Sequence, residues 1–449
     1  MAVTYLRQRA LSLLLTVLFV PHAYAGVFNP QTATLTNGME IVVISDHRTP
    51  VVTQMIWYRV GSADDPPGKS GLSHFLEHLM FKSTATARQH TFSQLVAYHG
   101  GHDNAFTGQD YTAYFQTVPS TQLEMVMQLE ADRMNNLQFD VRDVELERKV
   151  ILEERLGRTD NRPSALLREQ VYGSLYVAHP YGIPTIGWAH EIEKITIHDV
   201  EDFYYRHYMP NNSVLVIAGD ATMSQVLPLA TTYYGDIPER ALPRRQRLKD
   251  PPQRAHKRIT LEHPLVSQPS WRRSYIAPSA NYGVTEYALP LMLLSYILGG
   301  DTNSRLYQAL AVDRKIASRI SSYYGPNRLQ HSLFSIFATP NRGISVLTIE
   351  NGIDEVLNDL LAEGVTEAEV NRGKRILIAE ATYARDDITN VAHIFGTALL
   401  TGSSVTDIES WPVRVSHITT DQVNEAASYI LESYPVTGLL LPTVKGANE

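Results

Sequence analysis

The sequence predicts a duplicated α+β protein, and three observations carry that expectation. Strands followed by helices occur in the same order twice, in two halves of about 200 residues each. A Pro-rich, basic stretch, residues 239–258, stands between the halves and reads as an inter-domain linker whose charges are solvated. The composition, 449 residues with 44% hydrophobic and 19% charged, is that of ordinary globular domains and suits two or three of them. Direct residue identity between the halves is weak, so the repeat is one of pattern.

The chain opens with a targeting segment. Arg7 and Arg9 precede a short apolar run, Leu11 to Val20, and Ala23-Tyr24-Ala25 supplies the small residues of a cleavage site before Gly26. The run is too short to span a bilayer. The expectation is a signal peptide at 1–25 and an exported mature chain, periplasmic in a Gram-negative cell. No other run is apolar enough for a membrane span, and a net charge of -8 without a long basic run points away from nucleic acid. The absence of cysteine excludes disulfides, thiolate metal sites and cysteine nucleophiles, so a metal must use His, Asp or Glu.

In the first half, residues 33–46 read as a hairpin turning at Asn37-Gly38, and Val51 to Val60 as a further strand. A loop through Asp64-Asp65-Pro66-Pro67-Gly68 leads into a helix at 71–82. A second helix ends at Gly100-Gly101, and aromatic, Thr-rich alternation from Asp103 to Pro119 gives paired strands. Helices follow at 122–136, 142–158, 164–176 and 198–207, then a buried strand at 213–218. The second half has strands near 259–261 and 273–276, and a helix at 286–298. Strands then run to about 338, helices at 343–361, 366–385, 392–400 and 420–431 follow, and a last strand lies at 437–441.

The helix at 71–82 carries the chemistry. It contains His74-Phe75-Leu76-Glu77-His78, and residues spaced three and four apart share a helix face. His74 and His78 can offer two imidazoles to one ion with Glu77 beside them, while Leu72, Phe75, Leu76 and Leu79 supply the apolar surface that packs such a helix. Two imidazoles and a carboxylate form a zinc donor set that leaves a position open, and the spacing is the inverted form of the His-Glu-x-x-His motif.

A third donor is open to several readings. In the acidic helix at 142–158, Glu147 and Glu154 lie two turns apart on one face, with Val150 and Ile151 between them, so that face is expected to pack inward. Glu153 is rotated away and expected in solvent. On composition alone the helix reads better as a charged surface helix, its glutamates paired with Arg142, Arg148, Lys149 and Arg155. His99 and His102 are rival donors, but they flank Gly100-Gly101, a poor frame for a rigid site.

Taken together, His74-Phe75-Leu76-Glu77-His78 and Glu154, 76 residues beyond His78, resemble the zinc signature of the pitrilysin/insulinase peptidases, and Glu147 fits the same pattern. Further matches run through Asn104-Ala105-Phe106-Thr107, Asp110-Tyr111-Thr112, His179-Pro180-Tyr181-Gly182 and Ser304-Arg305-Leu306-Tyr307-Gln308-Ala309-Leu310, over nearly the whole mature chain. The length is similar to that of the short subunits of the family, such as mitochondrial processing peptidase and its bacterial relatives.

The resemblance implies two similar domains, at 26–238 and 259–449, each a mainly antiparallel sheet with helices on one face. It implies one zinc ion per chain on His74, His78 and Glu154, with Glu147 supporting the site and Glu77 as the catalytic base. Asn104, Ala105 and Phe106 would pair with an extended peptide substrate as an added strand. One departure matters. Active relatives carry an Arg and a Tyr seven apart after the Arg-Leu-Tyr-Gln-Ala-Leu segment, whereas the matching positions here hold Ala311 and Ser318. Arg314, Arg319 and Tyr323 are nearby but out of register. The expectation is a heterodimer with a homologous subunit that lacks the zinc motif and supplies the Arg and Tyr; a non-catalytic assembly subunit of the same fold is the alternative.

Overall fold

In the computed structural model, residues 26–84, 91–245 and 247–443 are described, and the expected targeting segment lies outside them. The strands are β1 (Gln31–Thr34), β2 (Glu40–Ser45), β3 (Val51–Tyr58), β4 (His102–Thr107), β5 (Thr112–Pro119) and β6 (Ser213–Gly219) in the first half. The second half contributes β7 (Lys257–His263), β8 (Ser270–Ala277), β9 (Ala317–Tyr324), β10 (Ser332–Pro340) and β11 (Val436–Pro442). They form two sheets in the orders β1-β2-β6-β3-β5-β4 and β7-β11-β8-β10-β9. With β1 set aside, the two orders correspond strand for strand: first, last, second, fourth, third. Each sheet has one parallel pair, β2 with β6 and β7 with β11, and is otherwise antiparallel. The repeat that was only a pattern in the sequence is thus a repeat of topology, and the two-domain α+β expectation is met.

Central strand β3 shows how the layers are set. Its residues alternate between two apolar clusters, Val52, Ile56 and Tyr58 facing one and Met55 and Trp57 the other. The first face packs on helices of its own half, including Leu72–Leu79, Leu123–Asn136 and Val141–Arg155. The opposite face is closed by a helix from the second half, Ile388–Leu400, through Val391, Ala392, Phe395 and Ala398. Gly396 allows that approach, since a Cβ there would fall 1.8 Å from the Trp57 ring. The exchange is reciprocal: helix Pro163–Leu175 of the first half lays Leu167, Val171 and Leu175 against Val436 and Leu440 of β11. Each buried side chain of this size contributes about 1.5–3 kcal/mol relative to exposure, so the exchanged helices bind the halves together firmly.

The basic stretch between the halves departs from expectation. Not all of its arginines are solvated: Arg244 and Arg254 are exposed, but others are held by partners. Arg245 and Arg247 pair with Asp64 at 2.7 and 2.5 Å, and the Arg247 side chain is only 6% exposed. Arg240 donates to the carbonyl of Tyr208 at 2.7 Å and stacks on the Tyr205 ring. Asp64 is itself buried, and a buried carboxylate needs partners, so the stretch straps down across the loop beside the motif helix. Among the described residues, no helix is long and apolar enough to cross a membrane.

Candidate metal centre

The motif helix spans Leu72–Leu79, shorter at both ends than expected. Leu72, Phe75, Leu76 and Leu79 are all buried, as their spacing requires. The helix begins at Gly71, which has φ +86° and no side chain to cap the free N–H groups. Asp65 does that from outside, its carboxylate accepting the N–H of Gly71 at 2.8 Å and of Ser73 at 2.9 Å. Only glycine fits at 71. A Cβ there would lie 2.5 Å from the Ile186 carbonyl, and left-handed backbone strains other residues.

The acidic helix runs Val141–Arg155 and is capped by Asp140, whose side chain accepts the Arg142 N–H at 2.6 Å. Its inward face is Val144, Glu147, Ile151 and Arg155. Val150, expected on that face, is 48% exposed; the inward stripe falls on Ile151, one position round. Glu153 is exposed, as expected. After Arg155 the chain winds into a π-helical turn, Leu156–Asp160, which places Arg158 against Glu154.

These two helices bring three donors together. His74 Nε2 lies 3.6 Å and His78 Nε2 3.3 Å from Glu154 Oε2, and the three groups are the described residues placed to share a metal ion. Donors on a tetrahedral zinc sit about 3.3 Å apart, so the spacing fits. Glu154 Oε2 is buried, and among the described residues the two imidazole nitrogens are the groups it faces, as an oxygen placed to share a cation with them would. Its other oxygen, Oε1, is held by Arg158 at 2.6 Å. Glu147 takes a supporting place: Oε2 lies 3.0 Å from His78 Nδ1 and Oε1 2.6 Å from Lys82 Nζ. With Nδ1–H donating to Glu147, Nε2 of neutral His78 presents its lone pair to the shared point.

The electrostatics agree. Burial works against a charged His78, yet Glu147 and Glu154 overcome it and hold its pKa at about 9. Burial and the neighbouring His78 push His74 down to about 4. The pocket therefore attracts one positive charge, which in the metal-free chain is a proton.

Glu77 stands apart from the donor cluster. Burial raises its pKa, partly opposed by a hydrogen bond from the Thr107 hydroxyl. That hydroxyl ends β4, the edge strand of the first sheet, which pairs only with β5. The Ala105 N–H donates to Asn104 Oδ1 at 2.8 Å. Ala105, Phe106 and Thr107 line a cavity of about 620 Å³ together with His74, Glu77 and Glu154; Asn104 lies outside that lining. Thr107 enters the sequence reading only as the end of a matched segment, without a role, and Arg158 has none there. An i, i+4 pairing of Glu154 with Arg158 was the one available signal for the second.

The rival donors are elsewhere. The His102 and His99 rings pack beside Phe115 and Tyr98, away from the cluster. In the second half Ala311 packs against that half's apolar core, and Ser318 bonds the Thr339 carbonyl. Arg314 is paired with Glu355, and Tyr323 is 66% exposed on β9. The remaining matched segments are architectural. Tyr181 donates to Asp110 Oδ2 at 2.5 Å, joining the His179-Pro180-Tyr181-Gly182 turn to the end of the β4–β5 hairpin. Arg305 pairs with Glu369 at 2.6 Å.

Comparison with known proteins gives a consistent pattern. The family described as insulinase (peptidase family M16) matches residues 40–188, and the one described as peptidase M16 inactive domain matches residues 194–377. The zinc protease PqqE of Helicobacter pylori is 28% identical over 438 residues, covering 96% of this chain and 97% of the relative. An uncharacterized zinc protease of Mycobacterium leprae is 30% identical over 408 residues, covering 89% and 88%. The crystal structure of a protease from Helicobacter pylori superposes with a TM-score of 0.86 at 27% identity, covering 92% of this chain and 99% of that one.

Proposed function

The chain belongs to the insulinase family of peptidases, M16, and from that premise we propose that it is the zinc-bearing subunit of an exported endopeptidase acting on peptides or unfolded polypeptide segments. The observation that carries the reading is the convergence of His74 Nε2, His78 Nε2 and Glu154 Oε2 beside Glu77, at the open edge of β4. The proposed domains are 26–238 and 259–449, joined by 239–258, with 1–25 removed on export.

Zinc, one ion per chain, would sit on His74, His78 and Glu154, where it supplies Lewis acidity towards a carbonyl and acidifies water. Glu77 is the base that takes the proton of the attacking water and passes it to the leaving amine. Burial raises its pKa above the ordinary carboxylate value, which strengthens it as a base. Glu147 orients His78, and Arg158 turns Glu154 so that its other oxygen faces the imidazoles. The edge of β4 offers unpaired backbone groups to an extended substrate, with Ala105 and Phe106 at the cavity and Asn104 covering the Ala105 N–H until a peptide displaces it.

The second half holds no Arg–Tyr pair at Ala311 and Ser318, so a homologous partner subunit is proposed to supply the donors for the oxyanion. The lone chain is expected to bind zinc and cleave an unfolded protein substrate slowly, and the same chain mixed with such a partner to cleave it at least ~100-fold faster. Equal rates measured by fluorogenic peptide assay would sink the heterodimer. The alternative, a non-catalytic binding subunit, draws on the description of the second half as inactive, and it requires that no cleavage appear with any partner.

Zinc affinity should also depend on pH. The raised His78 pKa means the folded site carries a proton that the cation must displace. Apparent affinity should rise about tenfold per pH unit from pH 6 and level off near pH 9, with about one proton released per zinc at pH 7. Calorimetry in buffers of different ionisation enthalpy measures both; a flat profile would refute it.

A further inference from the structure

The cavity beside the metal centre is lined by three arginines, Arg158, Arg168 and Arg328, and four carboxylates, Glu77, Asp110, Glu154 and Glu169, but two of the arginines are not matched to a carboxylate. Arg158 is taken by Glu154, and Glu169 by Arg155 at 3.0 Å. Asp110 accepts from Tyr181 and lies 3.6 Å from Arg247. Arg168 and Arg328 also line the cavity, and neither has a carboxylate within 4.0 Å among the described residues. They come from far apart in the chain, Arg168 from helix Pro163–Leu175 and Arg328 from the turn between β9 and β10.

For Arg168 alone, an exposed arginine on a helix is an ordinary solvated residue. Arg328 is different. One guanidinium N–H donates to Gln109 Oε1 at 2.7 Å, and the group stacks 5.2 Å from the centre of the Tyr181 ring. Its turn is pinned by the Leu329 N–H on Asp110 and the Gln330 N–H on the Tyr181 hydroxyl, each at 3.3 Å. The fork is thus held in place before any ligand arrives, with its other N–H groups unbonded among the described residues. Arg272 packs against the rings of Tyr172, a cavity residue, and Phe337, its Nε buried without a partner among the described residues. Burial lowers its pKa, opposed by Tyr172 and reinforced by the nearby charge of Arg168.

We propose that Arg168 and Arg328 form a carboxylate-recognition subsite, so that the substrates taken at the metal centre carry an anionic group beside the scissile bond. This rests on the peptidase reading and names the substrate class for it. The carboxylate is either an acidic side chain or the C-terminus of a short peptide; the chemistry of recognition, a bidentate or paired guanidinium contact, is the same.

The test uses the mature, zinc-loaded chain carrying Glu77→Gln, so that binding is read without turnover. Three labelled peptides of one sequence are compared by fluorescence anisotropy: one with Glu and a C-terminal amide, one with Gln and an amide, and one with Gln and a free C-terminus. A peptide bearing a carboxylate should bind ~10- to 100-fold tighter than the neutral one, and which of the two does so identifies the source. Arg168→Gln and Arg328→Gln should each erode the preference, and Arg328→Lys should retain part of it; circular dichroism checks that each variant is folded. Equal binding of all three peptides overturns the subsite and leaves the peptidase reading standing. A preference unchanged by both Gln variants also overturns it. Failure of every peptide to bind overturns the two together.

Discussion

Glu77→Gln should retain zinc and lose ~10²- to 10⁴-fold in peptide cleavage. The substitution keeps the shape of the side chain and its contact with the Thr107 hydroxyl, and it touches none of the three converging donor atoms. What it removes is the capacity to accept a proton. Because Glu77 is largely buried and lies outside the donor cluster, its loss as a base has no ready substitute: Glu154 is turned towards the imidazoles and Arg158, and Asp110 is bonded to Tyr181. The measurement is metal content by mass spectrometry together with the cleavage rate in the presence of the partner. Zinc retained with activity within about tenfold of wild type would remove Glu77 from the role of base.

Glu154→Gln should produce the opposite pattern, losing the metal first and the activity with it. A neutral amide replaces the one anionic donor, and zinc affinity should fall by at least ~100-fold, beyond the 10- to 100-fold usual for a supporting residue. Glu147→Gln, which only orients His78, should fall within that smaller range. Glu153→Gln, one residue along and exposed, should change nothing measurable. Folding should survive in all three, since the partner released by Glu154→Gln is Arg158, whose side chain is 73% exposed. Competition with a zinc-binding dye ranks the set. Equal affinities for Glu147→Gln and Glu154→Gln would show that the two carboxylates share one role.

The difference between those glutamates marks the limit of what the sequence could decide about the site. Helical periodicity put both on one face, and it put His74 and His78 on one face, because residues three, four and seven apart are related by the helix itself. Distance between two helices is not a local property. Glu154 Oε2 faces both imidazoles, while Glu147 meets the far nitrogen of His78 and Lys82. Family spacing pointed to that assignment; composition alone favoured a charged surface helix. The placement of Val150 failed for a related reason. A stripe read from the sequence has a width of about one residue, and which residue at its margin turns inward depends on what it packs against.

The sequence by itself determined the elements whose cause is local. These are the strands-then-helices order, the motif helix with its apolar face, the hairpin at Asn37-Gly38, and the absence of any thiolate donor. The tertiary structure decided what depends on residues remote in the chain. It set the matching strand orders of the two sheets, the exchange of helices Pro163–Leu175 and Ile388–Leu400 between them, and the burial of Arg247 against Asp64 in a stretch whose composition resembled a solvated linker. It also gathered Arg168 and Arg328 into the wall of the metal cavity. The physical reason is common to all four. Periodicity and capping act within a turn or two of chain, whereas the partner that satisfies a buried charge or covers a sheet face is chosen by packing over the whole molecule.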